Sequence, residues 1–175
     1  MRSRPSLRGP PAVRLAGLDD AEALANFQCS SGRWFQREVE EFINAELVQR
    51  VASGEAQCLL FHVERELIAV AAHQNATLVI AEDPGEVGAA HLLAVAVSGR
   101  LQTAKLADGT RLSDHVMQAL LRDALRAHRT AVAFGIVAIE NQRSLSMCER
   151  NGLTSQTVVS ATYARATGRF AIRGS

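Results

Sequence analysis

The sequence predicts an α/β fold of the α+β type, and three observations carry that expectation. The second half alternates strand and helix: an apolar run ending Leu92-Leu93-Ala94-Val95-Ala96-Val97, a helix opening at Ser113, a second apolar run Ala131 to Ile139, and a helix that stops at Gly152. The middle holds two apolar runs, Cys58 to Val63 and Leu67 to His73. They are separated by Glu64-Arg65-Glu66, the spacing of a β-hairpin. Two helical segments precede that hairpin, so helices and strands are partly segregated along the chain.

Each element has a local reason. Residues 1–11, with Arg2, Arg4 and Arg8 among Pro5, Pro10 and Pro11, read as a disordered, mildly basic tail. Ala12 to Ala16 is a short strand. Asp19 caps a short helix, Asp20 to Phe27, and Glu22 completes a box of the capping type. Cys29-Ser30-Ser31-Gly32 breaks the chain. Trp34 to Ala52 then forms a longer helix, with Phe35, Val39, Phe42, Ile43, Leu47 and Val51 on one face. Ser53-Gly54 ends it. Glu82-Asp83-Pro84-Gly85-Glu86 reads as an acidic turn, and His91 to Val97 as the next strand. Arg100 to Arg111 is a polar loop, of a length that is usually functional or disordered. Ser113 caps an amphipathic helix whose stripe is Val116, Leu120, Leu121, Ala124 and Leu125. Gln142 to Arg150 is a helix closed by Asn151-Gly152. Thr157 to Ala164 suits a final strand pair with Phe170 to Ile172. There are no repeats, so residues 12–173 are expected to form one domain.

Composition narrows the function classes. The chain has 175 residues, 47% hydrophobic and 21% charged, as a globular domain with a real core does. A formal net charge of +1 supplies no global pull toward nucleic acid or a membrane surface. No run approaches the roughly 18 apolar residues that span a bilayer, and the N-terminus lacks the apolar stretch of a signal peptide. Three cysteines, Cys29, Cys58 and Cys148, with no CxxC pair, are a poor disulfide framework. A reducing, cytoplasmic setting is the simple expectation.

A strand, loop and helix of this kind present backbone amides and a helix N-terminus to a phosphorylated cofactor. Two segments then carry a family resemblance. Leu93-Ala94-Val95-Ala96-Val97, followed by the loop and Met117-Gln118-Ala119-Leu120-Leu121, is similar to the core strand and pyrophosphate-binding helix of the GNAT superfamily of acyl-CoA-dependent N-acyltransferases. Asn141-Gln142-Arg143-Ser144-Leu145-Ser146-Met147-Cys148-Glu149-Arg150-Asn151-Gly152-Leu153 resembles that family's segment of Asn, six residues, Tyr, three residues, Gly and Phe. The resemblance covers about Val13 to Phe170. It implies a mixed, mostly antiparallel sheet of six to seven strands flanked by about four helices. It also implies a splayed core strand that forms a CoA cleft. The chain departs from the family pattern at two places. In Asp108-Gly109-Thr110-Arg111-Leu112-Ser113, Arg111 and Ser113 stand where the family has small residues, and Cys148 stands where it has tyrosine.

Acyl transfer from a thioester to an amine requires a deprotonated amine, a polarised carbonyl, a stabilised thiolate and a cofactor held in line. The resemblance assigns the pantetheine-pairing backbone to Val95, Ala96 and Val97, and the pyrophosphate to Gly109, Thr110, Arg111, Leu112 and Ser113. Asn141 either faces the thioester region, caps the next helix, or does both. His91 is the candidate general base, since imidazole titrates near neutrality, with a hydrogen-bonded strand-end histidine as the competing reading. Glu82, Asp83 and Glu86 are alternatives to it, against a solvated acidic turn, and a base acting through water is a further one. Cys148 is either the acid that reprotonates the thiolate or a small buried residue. Arg100, Lys105 and Arg111 suit CoA phosphates or a solvated loop. Trp34, with Arg33 and Phe35, lies where the family shapes its acceptor pocket, or forms a hydrophobic staple. His73 either lines that pocket or ends its strand, and Tyr163 belongs to the core or its rim.

The expected activity is direct acetyl transfer from acetyl-CoA to a primary amine of an unidentified acceptor, with no metal. The alternative is a catalytically degenerate module that binds CoA or a partner. A toxin-like enzyme acting on charged transfer RNA, which the superfamily also contains, calls for a basic face that a net charge of +1 does not suggest. No membrane or nucleic-acid partner is expected, and an exposed final strand would suit a homodimer.

Overall fold

The computed structural model describes residues 7–80, 83–138, 140–156, 158–160 and 168–173. Expectations for residues 1–6, Glu82, Ile139, Thr157, Tyr163 and the rest of 161–167 lie outside the described residues. The chain divides into two compact units, Met1–Ala72 with Ala94–Val116, and His73–Leu93 with Met117–Ser175.

In the first unit, β1 (Ala12–Leu15) pairs antiparallel with β2 (Gln57–Val63), Ala12 opposite His62 and Leu15 opposite Leu59. The order continues through the first part of β3 (Glu66–Ile80) to the last part of β4 (Asp83–Val97). A 3-10 turn (Leu18–Asp20) leads into α1 (Ala21–Ala25). The turn is fixed by Asp20 and not by the expected Asp19. Asp20 accepts the Gly17 N–H at 2.8 Å and a two-pronged contact from Arg14 at 2.5 and 2.7 Å. The Arg14 guanidinium holds this carboxyl down at about 2. The long helix runs over the expected span but in three pieces: α2 (Trp34–Glu41), a π-helical stretch (Phe42–Leu47) and α3 (Val48–Ala52). Within it Asn44 donates to the Leu24 and Phe27 carbonyls at 2.7 and 3.0 Å, so it closes the end of α1. Leu24, Phe27, Ile43, Leu47, Leu60, Phe61, Ile68 and Val70 are buried and make up much of this core.

The second unit orders its strands β3-β4-β5-β8-β6, with β5 at Ala133–Ala138, β6 at Thr154–Gln156 and β8 at Gly168–Arg173. A short β7 (Val158–Ser160) pairs with the end of β3. The β4–β5 pairing is parallel, while β5–β8, β6–β8 and β3–β7 are antiparallel. This is the mixed, mostly antiparallel sheet that the resemblance implies, with eight strands among the described residues where six to seven were expected. Leu78, Ala89 and Phe134 form a buried cluster flanked by Ala76 and Val132. α4 (Leu112–Ala127) begins in the first unit and ends in the second, and α5 (Gln142–Arg150) keeps its expected bounds. Gly152, at φ +80°, closes α5 in the left-handed region that favours glycine, and its N–H reaches the Glu149 carbonyl at 3.1 Å.

Three boundaries differ from expectation. β3 does not end at His73 but runs on to Ile80, where β7 pairs with it. β4 starts at Asp83, eight residues before His91, so Asp83 to Glu86 is strand and not turn; extended pairing overrides the turn composition. α4 opens at Leu112, which places Ser113 inside the first turn and not at the cap.

Candidate active site

The pairing of β4 with β5 is short. It covers Ala90–Ala133, His91–Phe134 and Leu92–Gly135 and then ends. β5 continues beside β8 as far as Ala138, and β4 runs on to Val97. A side chain at Gly135 would meet the Leu92 carbonyl at 3.4 Å, so the two strands approach closely where the pairing stops. The last residues of β4 are apolar, with Ala96 and Val97 buried and Val95 half-buried.

In the first unit, the loop after β4 is folded on itself. A short 3-10 turn (Gly99–Leu101) follows β4. The Leu106 N–H donates to the Thr110 carbonyl at 2.8 Å and the Leu112 N–H to the Ala104 carbonyl at 3.0 Å, which sets Lys105 opposite Arg111 as an isolated bridge. Gly109 sits at the tip with φ +86°, and the Thr110 N–H is held by the Asp108 carboxylate at 2.8 Å. In the first turn of α4 the Asp114 and His115 N–H groups both turn back to the Arg111 carbonyl at 3.0 Å. Of the residues assigned to the pyrophosphate, Gly109, Thr110 and Leu112 therefore spend their amides within the loop. Arg111 is exposed and Ser113 half-buried. Asp114 adds a negative charge to the same turn. Arg100 is paired with Glu66, while Lys105 is exposed.

In the second unit, Asn141 caps α5. Its side-chain oxygen accepts the Ser144 N–H at 3.2 Å, leaving the amide nitrogen outside the cap. Cys148 is buried, and burial, aided by Glu149, pushes its thiol up to about 11. His91 is buried within the paired part of β4, its ring stacked on Phe134 with centroids 4.5 Å apart and planes at 3°. His91 thus lies inside β4 and not at a strand end, and Cys148 is a buried residue of α5.

No protein-family model matches the sequence, and no curated protein is significantly similar to it. Solved structures are similar over almost the whole chain. The PaiA N-acetyltransferase from Thermoplasma acidophilum in complex with coenzyme A is 12% identical at a TM-score of 0.61, over 94% of this chain and 99% of that one. The Campylobacter jejuni N-acetyltransferase PseH in complex with acetyl coenzyme A is 10% identical at 0.56, over 93% and 99%. A mutant AtaT toxin bound to the C-terminus of the antitoxin AtaR and acetyl-CoA is 14% identical at 0.61, over 93% and 92%. The chain has the GNAT fold. In that fold, the two segments that carried the resemblance stand as the end of β4 with the middle of α4, and as α5 with its cap and its glycine stop.

Two groups inside the GNAT fold went unread in the sequence. In the first unit, Glu40 of α2 accepts the Cys29 and Ser30 N–H groups, each at 2.7 Å, and Gln102 donates to the Cys29 carbonyl at 2.6 Å. The link between α1 and α2 is thereby anchored. In the second unit, His73 is fully buried between Asp123 and His128, at 3.0 and 2.8 Å. The sequence signals were faint: a histidine closing an apolar run, and an aspartate beside the apolar stripe of α4. Among the described residues no helix is long and apolar enough to cross a membrane.

Proposed function

We propose that the protein is an acetyl-CoA-dependent N-acetyltransferase, with residues 12–173 as its catalytic domain. The observation that carries this reading is the β4–β5 pairing that stops at Leu92–Gly135 while both strands run on. Strand backbone of this kind is available to hydrogen-bond an extended amide chain, which is what the pantetheine arm is. Val95, Ala96 and Val97 would hold that arm. Arg111 and the Ser113 amide would hold the pyrophosphate, Arg111 taking by side chain what the loop no longer offers by backbone. Gly109 supplies the tight turn beneath them. Likeness to structures solved with CoA or acetyl-CoA supports the donor.

In the proposed reaction the neutral amine attacks the thioester carbonyl, the C–N bond forms, and the C–S bond breaks to release the CoA thiolate. The amine proton passes to water and the thiolate collects one in turn. Asn141, its oxygen used in the cap, would present its amide hydrogens to the developing oxyanion. A thiol at about 11 is a weaker acid than an ordinary thiol at 9.0, so proton transfer from Cys148 to the leaving thiolate runs uphill. Water is therefore the favoured proton carrier, ahead of Cys148 and of His91 stacked on Phe134.

A second reading has its own observation. The inward-turned amides of Gly109, Thr110 and Leu112 favour a GNAT-fold module that binds a partner and performs no transfer. Isothermal titration with acetyl-CoA, and separately with CoA, separates the two. Micromolar binding that Ser113→Tyr weakens supports the enzyme. Absence of binding at high protein concentration would replace it with the partner-binding module.

A further inference from the structure

Within the second unit, three side chains form a closed hydrogen-bonded chain that no step of the proposed reaction uses. Asp123 lies near the end of α4, His73 in the middle of β3, and His128 just past α4. His73 Nε2 lies 3.0 Å from Asp123 Oδ2, and His73 Nδ1 lies 2.8 Å from His128 Nε2. The two rings meet edge to face, with planes at 86°. The other oxygen of Asp123 accepts from Arg126 at 2.9 Å. His73 is fully buried and His128 half-buried, so the chain leads from solvent to the interior.

Proton positions follow from the contacts. An ionised Asp123 only accepts, so His73 Nε2 carries a hydrogen. In the neutral ring His73 Nδ1 then accepts, and His128 Nε2 must donate. The remaining nitrogen of His128, Nδ1, is the one that can take up a proton. We propose that Asp123, His73 and His128 form a proton-uptake site that accepts one proton through His128, lodges it on His73 against Asp123, and excludes a second. On uptake, the proton binds His128 Nδ1 and the Nε2 hydrogen passes to His73 Nδ1. His73 becomes the imidazolium beside the Asp123 carboxylate, and His128 ends as the neutral Nδ1–H ring, its Nε2 now accepting. Every contact survives and one charge has moved inward. A second proton would place two N–H groups head to head across 2.8 Å, and the contact must break.

The surroundings agree with this count. His128 is held below the ordinary histidine value, by burial first and then by His73, with Asp123 acting in the opposite direction. The charged groups next to His128 on its own segment are Arg126, which is committed to Asp123, and Arg129, which follows His128 at φ +49°. Neither supplies a carboxylate to offset a second imidazolium.

The unfolded chain binds two protons at these histidines below about pH 6, and the native site at most one. Stability therefore falls with acidification. The test is equilibrium urea unfolding of the full chain between pH 8 and pH 5, for wild type and His128→Gln, a change at a half-exposed position. The wild-type folding constant is expected to fall about tenfold more per pH unit below pH 6 than that of the variant. Equal slopes overturn the proposal. Imidazole NMR of the wild type is the second measurement, free of any mutation. Uptake of a single proton by the pair before unfolding supports the site, and two independent titrations to the doubly charged state overturn it.

Discussion

The two ends of α4 solve opposite problems. Its first turn, in the first unit, is held by backbone: the Leu112, Asp114 and His115 amides go to carbonyls of its own loop, and the charged side chains of Lys105, Asp108 and Arg111 stay exposed. Its last turns, in the second unit, are held by side chains: Asp123 reaches a fully buried histidine fifty residues away, and Arg126 neutralises its other oxygen. One end keeps its charges in water, where they are adjustable and weakly coupled. The other commits them to a dry site where each depends on the next. A substitution at the first end should alter binding and spare the fold, and a substitution at the second should do the reverse.

The largest effect should come from Asp123→Ala. It strands a buried His73 N–H, and urea unfolding should report a loss of about 2–3 kcal/mol. A loss below 1 kcal/mol would mean that the relay end is no more committed than the loop end. Arg111→Ala should lower CoA affinity about tenfold, the scale of one lost charge-assisted hydrogen bond, with an unchanged melting temperature. A drop in melting temperature without a change in affinity would reverse the comparison. Alkali probes the apolar interior of both units. Burial raises Cys29 and Cys58 to about 12 and Cys148 to about 11, above their unfolded value of 9.0. Folded pKa values above unfolded ones give stability that is complete below pH 9 and is lost as pH rises through 11 to 12. Circular dichroism against pH should show it, and Cys148→Ala should remove one of the three contributions between pH 9 and 11 and leave the loss from 11 to 12 unchanged. The smallest effect is Asp114→Asn. It should cost α4 a few tenths of a kcal/mol and raise CoA affinity about twofold, because the carboxylate competes with a phosphate for the same helix end. Weaker CoA binding in that variant would place the donor elsewhere.

The same contrast explains what the sequence disclosed. Elements built from local rules were legible: α5 from its Asn141 cap and Gly152 stop, the hairpin from Glu64-Arg65-Glu66, and the two segments that carry the GNAT resemblance. Elements fixed by distant partners were not. Pro84 and Gly85 read as a turn by composition, yet β4 already includes them. His73 read as a polar strand end because its two partners lie fifty and more residues away. In the candidate site, the residue types at 109–113 were visible, but the inward turn of their amides depends on Ala104 and Asp108. The burial of His91 and Cys148, which decides their acidity, is likewise a property of packing.

The π-helical stretch Phe42–Leu47 follows from simple angular arithmetic. Phe35, Val39, Ile43, Leu47 and Val51 recur every four residues without a break. In an α-helix each such step overshoots a full turn by about 40°, so five positions would wind roughly 160° around the cylinder and the last would face away from the first. The wider turns between Phe42 and Leu47 unwind that drift, and Ile43 and Leu47 stay fully buried while Val51 remains half-buried. A strict spacing of four is thus a written instruction for a widened turn, and moving one apolar residue of the series by a single place should let the helix tighten.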